Sequence, residues 1–163
     1  MSVKRKLLAI CGLVGGLVIH TSAPTLAQDN LLCARSIIHL QSEKGVLSFS
    51  VEIADTEDER TLGLMMRPYL PVEHGMLFVW DDAAPRSFWM RETRLSLDIL
   101  FIGANGYICN IAEKAEPMSE KSIPSDCDAQ YVLEINAGLV AALGIRPNTR
   151  VQNSAMPGFC KSG

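Results

Sequence analysis

The chain has 163 residues, 48% hydrophobic and 20% charged, and its 15 basic and 18 acidic side chains give a formal charge of −3. That is one domain's length with enough apolar residues to bury a core, and neither an internal repeat nor a low-complexity linker divides it. The acidic balance excludes the electrostatic footprint of a nucleic-acid or anionic-lipid binder.

The first segment has the pattern of an export signal over residues 1–27. Lys4, Arg5 and Lys6 lead into an almost wholly apolar stretch at 7–19, and Thr25-Leu26-Ala27 offers a small-residue cut. Gly12, Gly15 and Gly16 interrupt the stretch, which is short for a membrane span. The alternative is an uncleaved N-terminal anchor. Cys11 follows bulky Ile10 early in the run and does not suit a lipoprotein. Cleavage would leave 136 residues, with 12 basic against 18 acidic side chains, a balance of −6. The expected location is periplasmic or secreted, with no stable membrane span after cleavage, because no second apolar stretch reaches spanning length.

Residues 28–45 form an N-terminal segment whose 36–40 stretch reads as a weak strand. Residues 46–153 form the main domain. Leu47, Phe49, Val51 and Ile53 alternate with Ser48, Ser50 and Glu52, which predicts a half-buried strand. Thr56-Glu57-Asp58-Glu59 is a capping box with an acidic first turn. It predicts a short helix to about Met65, with Leu62 and Met66 facing inward. Pro68, Pro71 and Gly75 mark a loop over 67–75. Short strands are expected at 76–80 and 87–91, joined by a turn at 81–85, and at 97–102. Asn105-Gly106 signals a hairpin to a return strand at 107–112. Residues 114–128 read as an irregular loop, 131–135 as a strand, and 137–143 as a helix capped by Asn136 and stopped by Gly144 and Pro147. A last strand covers 149–152, and the tail 154–163 is loose unless Cys160 pins it. Many short strands with two small helices, mostly without βαβ alternation, predict a mainly β single domain, a β-sandwich or partly closed barrel.

Four cysteines follow the leader: Cys33, Cys109, Cys127 and Cys160. In an exported chain they imply two disulfides, and sequence allows three connectivities. The preferred set is Cys109–Cys127, closing an acidic, turn-rich loop, with Cys33–Cys160 tying the ends. The absence of a Cys-x-x-Cys pair argues against a redox or metal site.

Several motifs in one order resemble the domain-of-unknown-function family numbered 192. They are Glu59-Arg60-Thr61-Leu62-Gly63-Leu64-Met65 with Arg67, Gly75-Met76-Leu77-Phe78, Phe88-Trp89-Met90 with Thr93, Asp98-Ile99-Leu100-Phe101-Ile102, Tyr131-Val132-Leu133-Glu134, and Gly144-Ile145. The resemblance spans about residues 46–153 and implies a jelly-roll-like β fold in an often exported protein. The family has no established biochemical function, so the resemblance implies no mechanism. Two positions depart from the family pattern. Arg91-Glu92-Thr93 replaces the usual Lys-Asn-Thr, and Ser96 replaces a proline before the Leu-Asp pair.

Five residues stand out as candidate ligand contacts: Arg67, Trp89, Arg91, Thr93 and Asp98. An exposed Trp89 beside Arg91 would suit a planar or anionic ligand through stacking and a charged fork. The competing reading buries Trp89 against a helix. Asp98, an acid between apolar neighbours, is expected either to pair with Arg67 or Arg91 or to cap a turn. The leading expectation is a binding module for a small anionic or planar ligand or an envelope partner, with no cofactor. The first alternative is an enzyme acting on an envelope polymer, with Asp98 and Glu92 or Glu113 in acid–base roles. The second is a copper carrier using Met65, Met66, Met76, Met90, Met118 and Met156. Only His39 and His74 remain beyond the leader, and no hydrolase or phosphate-loop motif occurs.

Overall fold

The computed structural model describes residues 36–156. The expected leader, the Cys33–Cys160 bridge and the end of the tail lie outside the described residues. Strands β1 (Ile37–Ser42) and β2 (Gly45–Ala54) form a hairpin, followed by helix α1 (Glu57–Leu62) and a long strand β3 (His74–Phe88). Then come β4 (Leu97–Ile102), β5 (Ile108–Ala115), β6 (Ile123–Asn136), helix α2 (Leu139–Leu143) and β7 (Arg150–Gln152). All belong to one seven-stranded sheet in the order β5-β4-β6-β3-β2-β1-β7. Only β2 and β3 run parallel, because α1 and the following loop carry the chain back between them. The sheet curls until its edges meet: Tyr107 bridges Arg150, and the Ile108 amide donates to the Thr149 carbonyl at 3.0 Å. The partly closed barrel is thus the form the fold takes.

The curl gives the sheet two apolar faces. Inside, every strand contributes to one core, including Leu40, Val51, Leu77, Leu100, Leu133 and Val151, and α2 closes it with Val140. Outside, Phe78, Ile99, Phe101 and Val132 form a second core under Leu64, Leu70 and Met90 from the connections. Strand β4 lies between both cores, and all six of its residues are buried.

Several expectations are corrected. The capping box forms as read, with Thr56 Oγ1 accepting from the Glu59 amide and Glu59 accepting from the Thr56 amide. The helix is shorter, however, and none of its residues is buried. Gly63 at φ +48° turns the chain out of the helix, so Leu64 goes inward while Leu62 and Met66 are exposed. The two strands expected at 76–80 and 87–91 are one strand, β3, ending at Phe88. Register shifts between Val79 and Ala84 and between Pro85 and Ser87 absorb the apparent turn. Most of the expected loop at 114–128 is strand. The buried residues in the first half of β6 are small, Ser125 and Ala129, and Ser125 is satisfied by the Arg86 amide and the Cys127 carbonyl. Cys109 and Cys127 are bonded as expected, joining β5 to β6.

Gly75 sits where β3 and β6 approach most closely. A Cβ there would lie 2.5 Å from the Glu134 carbonyl oxygen and 3.1 Å from Ile135 Cγ2. Backbone cannot yield as a flexible side chain does, so Gly75→Ala must separate the central strand pair. The expected cost is about 3 kcal/mol or more, read as a lowered midpoint in thermal unfolding or as insoluble protein. An unchanged midpoint would contradict the close approach.

Candidate functional site

The outer core is not sealed. A pocket of about 260 Å³ opens between α1, the loop after it, β3 and the turn at 89–93. Strand β3 supplies Phe78, Trp80 and Phe88, which form an aromatic cluster with Phe101 of β4. The Phe78 and Phe88 rings meet edge to face at 5.1 Å, and Phe88 meets Phe101 the same way at 5.9 Å. These contacts hold the walls rigid without filling the space above them.

Guanidinium groups stack on the pocket's two tryptophans. Arg60 lies over the Trp80 ring at 5.3 Å and Arg86 over it at 4.6 Å. Arg60 Nη1 donates to the Asp55 and Val79 carbonyls at 2.6 and 2.8 Å. Arg86 Nη2 donates to the Asp82 carbonyl and carboxylate at 2.7 and 2.8 Å. Arg91 lies over Trp89 at 4.2 Å, and its buried Nε has no hydrogen-bond partner. Trp89 is 44% exposed. The alternative in which it is buried against a helix is therefore not what the fold does, although Met90 beside it is buried.

The floor is Glu134 of β6. It lies between Met76 of β3 and Ile99 of β4 in the sheet register, and only 4% of it is exposed. No hydrogen bond or salt bridge from the described residues reaches its carboxyl, and burial pushes its pKa up to about 8. It is therefore mostly protonated at neutral pH. An acid so shifted by desolvation in a cleft is a candidate functional position.

Of the five residues expected from the sequence, the fold brings Trp89, Arg91 and Thr93 together. Trp89 and Thr93 line the pocket, and Thr93 Oγ1 donates to the Arg91 carbonyl at 3.2 Å. Arg67 stands apart in a two-pronged pair with Glu52, both contacts at 2.6 Å. That guanidinium holds the Glu52 carboxyl below its ordinary value. Asp98 pairs with neither Arg67 nor Arg91. It is fully buried on the opposite face of β4, where its two oxygens accept from the Lys114 and Val140 amides at 2.9 Å each. Asp98 thus caps α2 from across the sheet, the role expected of Asn136. Asn136 instead donates from Nδ2 to the Leu70 and Pro71 carbonyls, pinning the loop beside the outer core.

Glu134, Trp80 and Arg60 escaped the sequence reading. Glu134 did leave a signal: an acid in the apolar run Tyr131-Val132-Leu133-Glu134-Ile135, on the same strand face as Val132. Nothing in the described residues gathers three or more His, Cys, Asp or Glu side chains into a metal cluster. The methionines are also dispersed. Met76 and Met90 sit in the outer core, Met156 in the inner one, and Met66 and Met118 at the surface.

The model of the DUF192 family, described as "Uncharacterized ACR", matches residues 38–153. The chain belongs to the DUF192 family. Its Glu134 pocket is therefore a feature of a DUF192 domain whose fold recurs in solved relatives. A protein of unknown function from Novosphingobium aromaticivorans is 39% identical, with a TM-score of 0.70 over 71% of this chain and 83% of that one. A Sinorhizobium meliloti protein, described as a "putative transcription regulator", is also 39% identical, with a TM-score of 0.71 over 73% of this chain and 93% of that one. No curated protein matches the chain. No helix among the described residues is long and apolar enough to cross a membrane.

Proposed function

We propose that this DUF192 domain is a binding module for a small planar or anionic ligand, exported to the cell envelope by the leader expected at residues 1–27. Its seat is the aromatic pocket between α1 and β3. One observation carries the reading: the Glu134 carboxyl, 4% exposed and without a hydrogen-bond partner among the described residues, opens on a space partly walled by aromatic rings. A buried polar group without a partner costs stability, and a ligand that satisfies it recovers that cost on binding. Arg60 and Arg91 at the entrance suit the negative end of such a ligand, since neither has a carboxylate partner among the described residues.

The polymer-enzyme alternative loses its best residue, because both Asp98 oxygens are engaged by backbone amides. The copper alternative finds its methionines dispersed over two cores and the surface. The regulator description belongs to the Sinorhizobium meliloti protein, and the acidic balance of this chain favours a small ligand over DNA.

The test is mass spectrometry of the full chain purified from its own host, under native and denaturing conditions. The expected result is extra mass in the native spectrum alone. In Arg91→Ala that mass should disappear while stability changes by about 1 kcal/mol or less, the scale of one exposed cation–π contact. A bare chain in both spectra, or an adduct indifferent to Arg91→Ala, would count against the reading.

A further inference from the structure

The pocket's polarity is ordered from entrance to floor. Arg60 lines the pocket, while Arg91 and the Asp82-paired Arg86 lie outside the lining, each of the three stacked on a pocket tryptophan. The floor is a carboxyl group that holds its proton at neutral pH. The pocket lining is mixed, with Thr61, Ser87 and Thr93 as polar residues among apolar ones. Met76 and Phe78 come from β3, Ile99 from β4, Leu64 and Met65 from the loop, and Trp89 from the turn. Arg60 of α1 is the other charged residue in the lining, and its guanidinium is held on the Asp55 and Val79 carbonyls.

A protonated carboxyl presents one O–H donor and spare acceptor capacity. Buried donors without an acceptor are rarer and costlier than under-used carbonyl oxygens. The group missing from the pocket is therefore an acceptor. A carboxylate at the inner end would bring a charge into an apolar floor. An ammonium would share the pocket with the Arg60 guanidinium and would have to ionise Glu134. A sugar would bring several hydroxyls to walls where Ser87 is engaged with Ser122 and Thr93 with the Arg91 carbonyl, with Thr61 the lining hydroxyl left to meet them. The walls themselves match a flat aromatic ring.

Resting on the binding-module reading, we infer that the pocket takes an aromatic carbonyl compound. Its ring lies among Phe78, Trp80 and Phe88, its carbonyl oxygen accepts a hydrogen bond from the Glu134 carboxyl, and any anionic substituent points outward to Arg60 and Arg91. Binding is then proton-dependent, because the deprotonated carboxylate has no hydrogen to donate and repels the carbonyl oxygen.

The chain's two tryptophans, Trp80 and Trp89, both line the pocket, so its intrinsic fluorescence reports on occupancy. The full chain is titrated with acetophenone, para-acetylbenzoate, phenol and benzylamine between about pH 6 and pH 9. Acetophenone affinity should fall about tenfold over that range, following the protonated fraction of Glu134. Para-acetylbenzoate should bind more tightly than acetophenone, and the Arg60→Ala, Arg91→Ala double variant should remove the difference. Glu134→Gln, which keeps a donor, should bind acetophenone with no pH step. Benzylamine or phenol binding more tightly than acetophenone, and tightening as pH rises, would overturn the inference and make Glu134 an ionised acceptor. Silence of all four probes, with a ligand mass still retained in the native spectrum, would overturn this ligand class and leave the binding-module reading standing. Silence together with a bare native spectrum would remove both.

Discussion

Between pH 5 and pH 8 the folded protein should lose roughly 3 kcal/mol of stability through Glu134 alone. Burial raises this carboxyl from its ordinary value of 4.5 to about 8 in the folded state. Between those values the native chain keeps a proton that the unfolded chain has released, so unfolding becomes easier as pH rises. The penalty is absent below about pH 4.5 and complete above about pH 8. Glu134→Gln should abolish this slope and make the variant more stable than the parent at the alkaline end. Other groups act in different windows. Glu52, held low by Arg67, contributes stability that is lost as pH falls below its unfolded value. His39, lowered by desolvation, disfavours the folded state as pH falls through about 6.5 and below. The difference between parent and Glu134→Gln in denaturant unfolding across pH isolates the Glu134 part. Parallel curves would mean that Glu134 is solvated.

The second large effect is at Asp98. Its two oxygens satisfy the Lys114 and Val140 amides, in a site with no solvent access for the side chain. Asp98→Ala orphans both donors at once, and the expected loss is about 3 kcal/mol in denaturant unfolding. Helix α2 has no side-chain cap of its own, since Gly138 stands at its N-cap, so its docking on the inner core should loosen first. Asp98→Asn should lose most of the same stability, because its amide nitrogen would face a donor. An Asp98→Ala protein of parental stability that no longer retained ligand would return Asp98 to the list of ligand contacts and contradict its place as a cap.

How far the sequence led depended on the range of the interactions. The Thr56–Glu59 capping box lies within four residues, so its pattern was sufficient, and the strand at 97–102 was legible from an apolar run broken only by Asp98. The Cys109–Cys127 bridge was the preferred one of three possible connectivities, for the acidic, turn-rich loop it closes. Asp98 attracted attention for the right reason, an acid among apolar neighbours, but its partner Val140 lies 42 residues away and only the curl of the sheet brings it near. The helix face was misassigned because Gly63 ends the 3.6-residue period before Leu64 and Met66. Long β3 looked like two strands because its bulges carry turn residues, and the first half of β6 looked like loop because Ser125 and Ala129 are small. The side-by-side placement of Trp89 and Arg91 is local to one short segment and was legible from it. Glu134 was passed over because a single acid in an otherwise apolar strand has no motif, and its pocket is assembled from five separate segments.

The central claim is that Glu134 stays protonated at neutral pH on the floor of an aromatic pocket. Carboxyl-detected NMR titration of the full chain, with Glu134→Gln to assign the resonance, tests it most directly. The expected result is one carboxyl resonance titrating near pH 8 that disappears in Glu134→Gln and shifts when the pocket is occupied. A Glu134 resonance titrating near 4.5, unmoved by any bound ligand, would contradict both the buried acid and the site built on it.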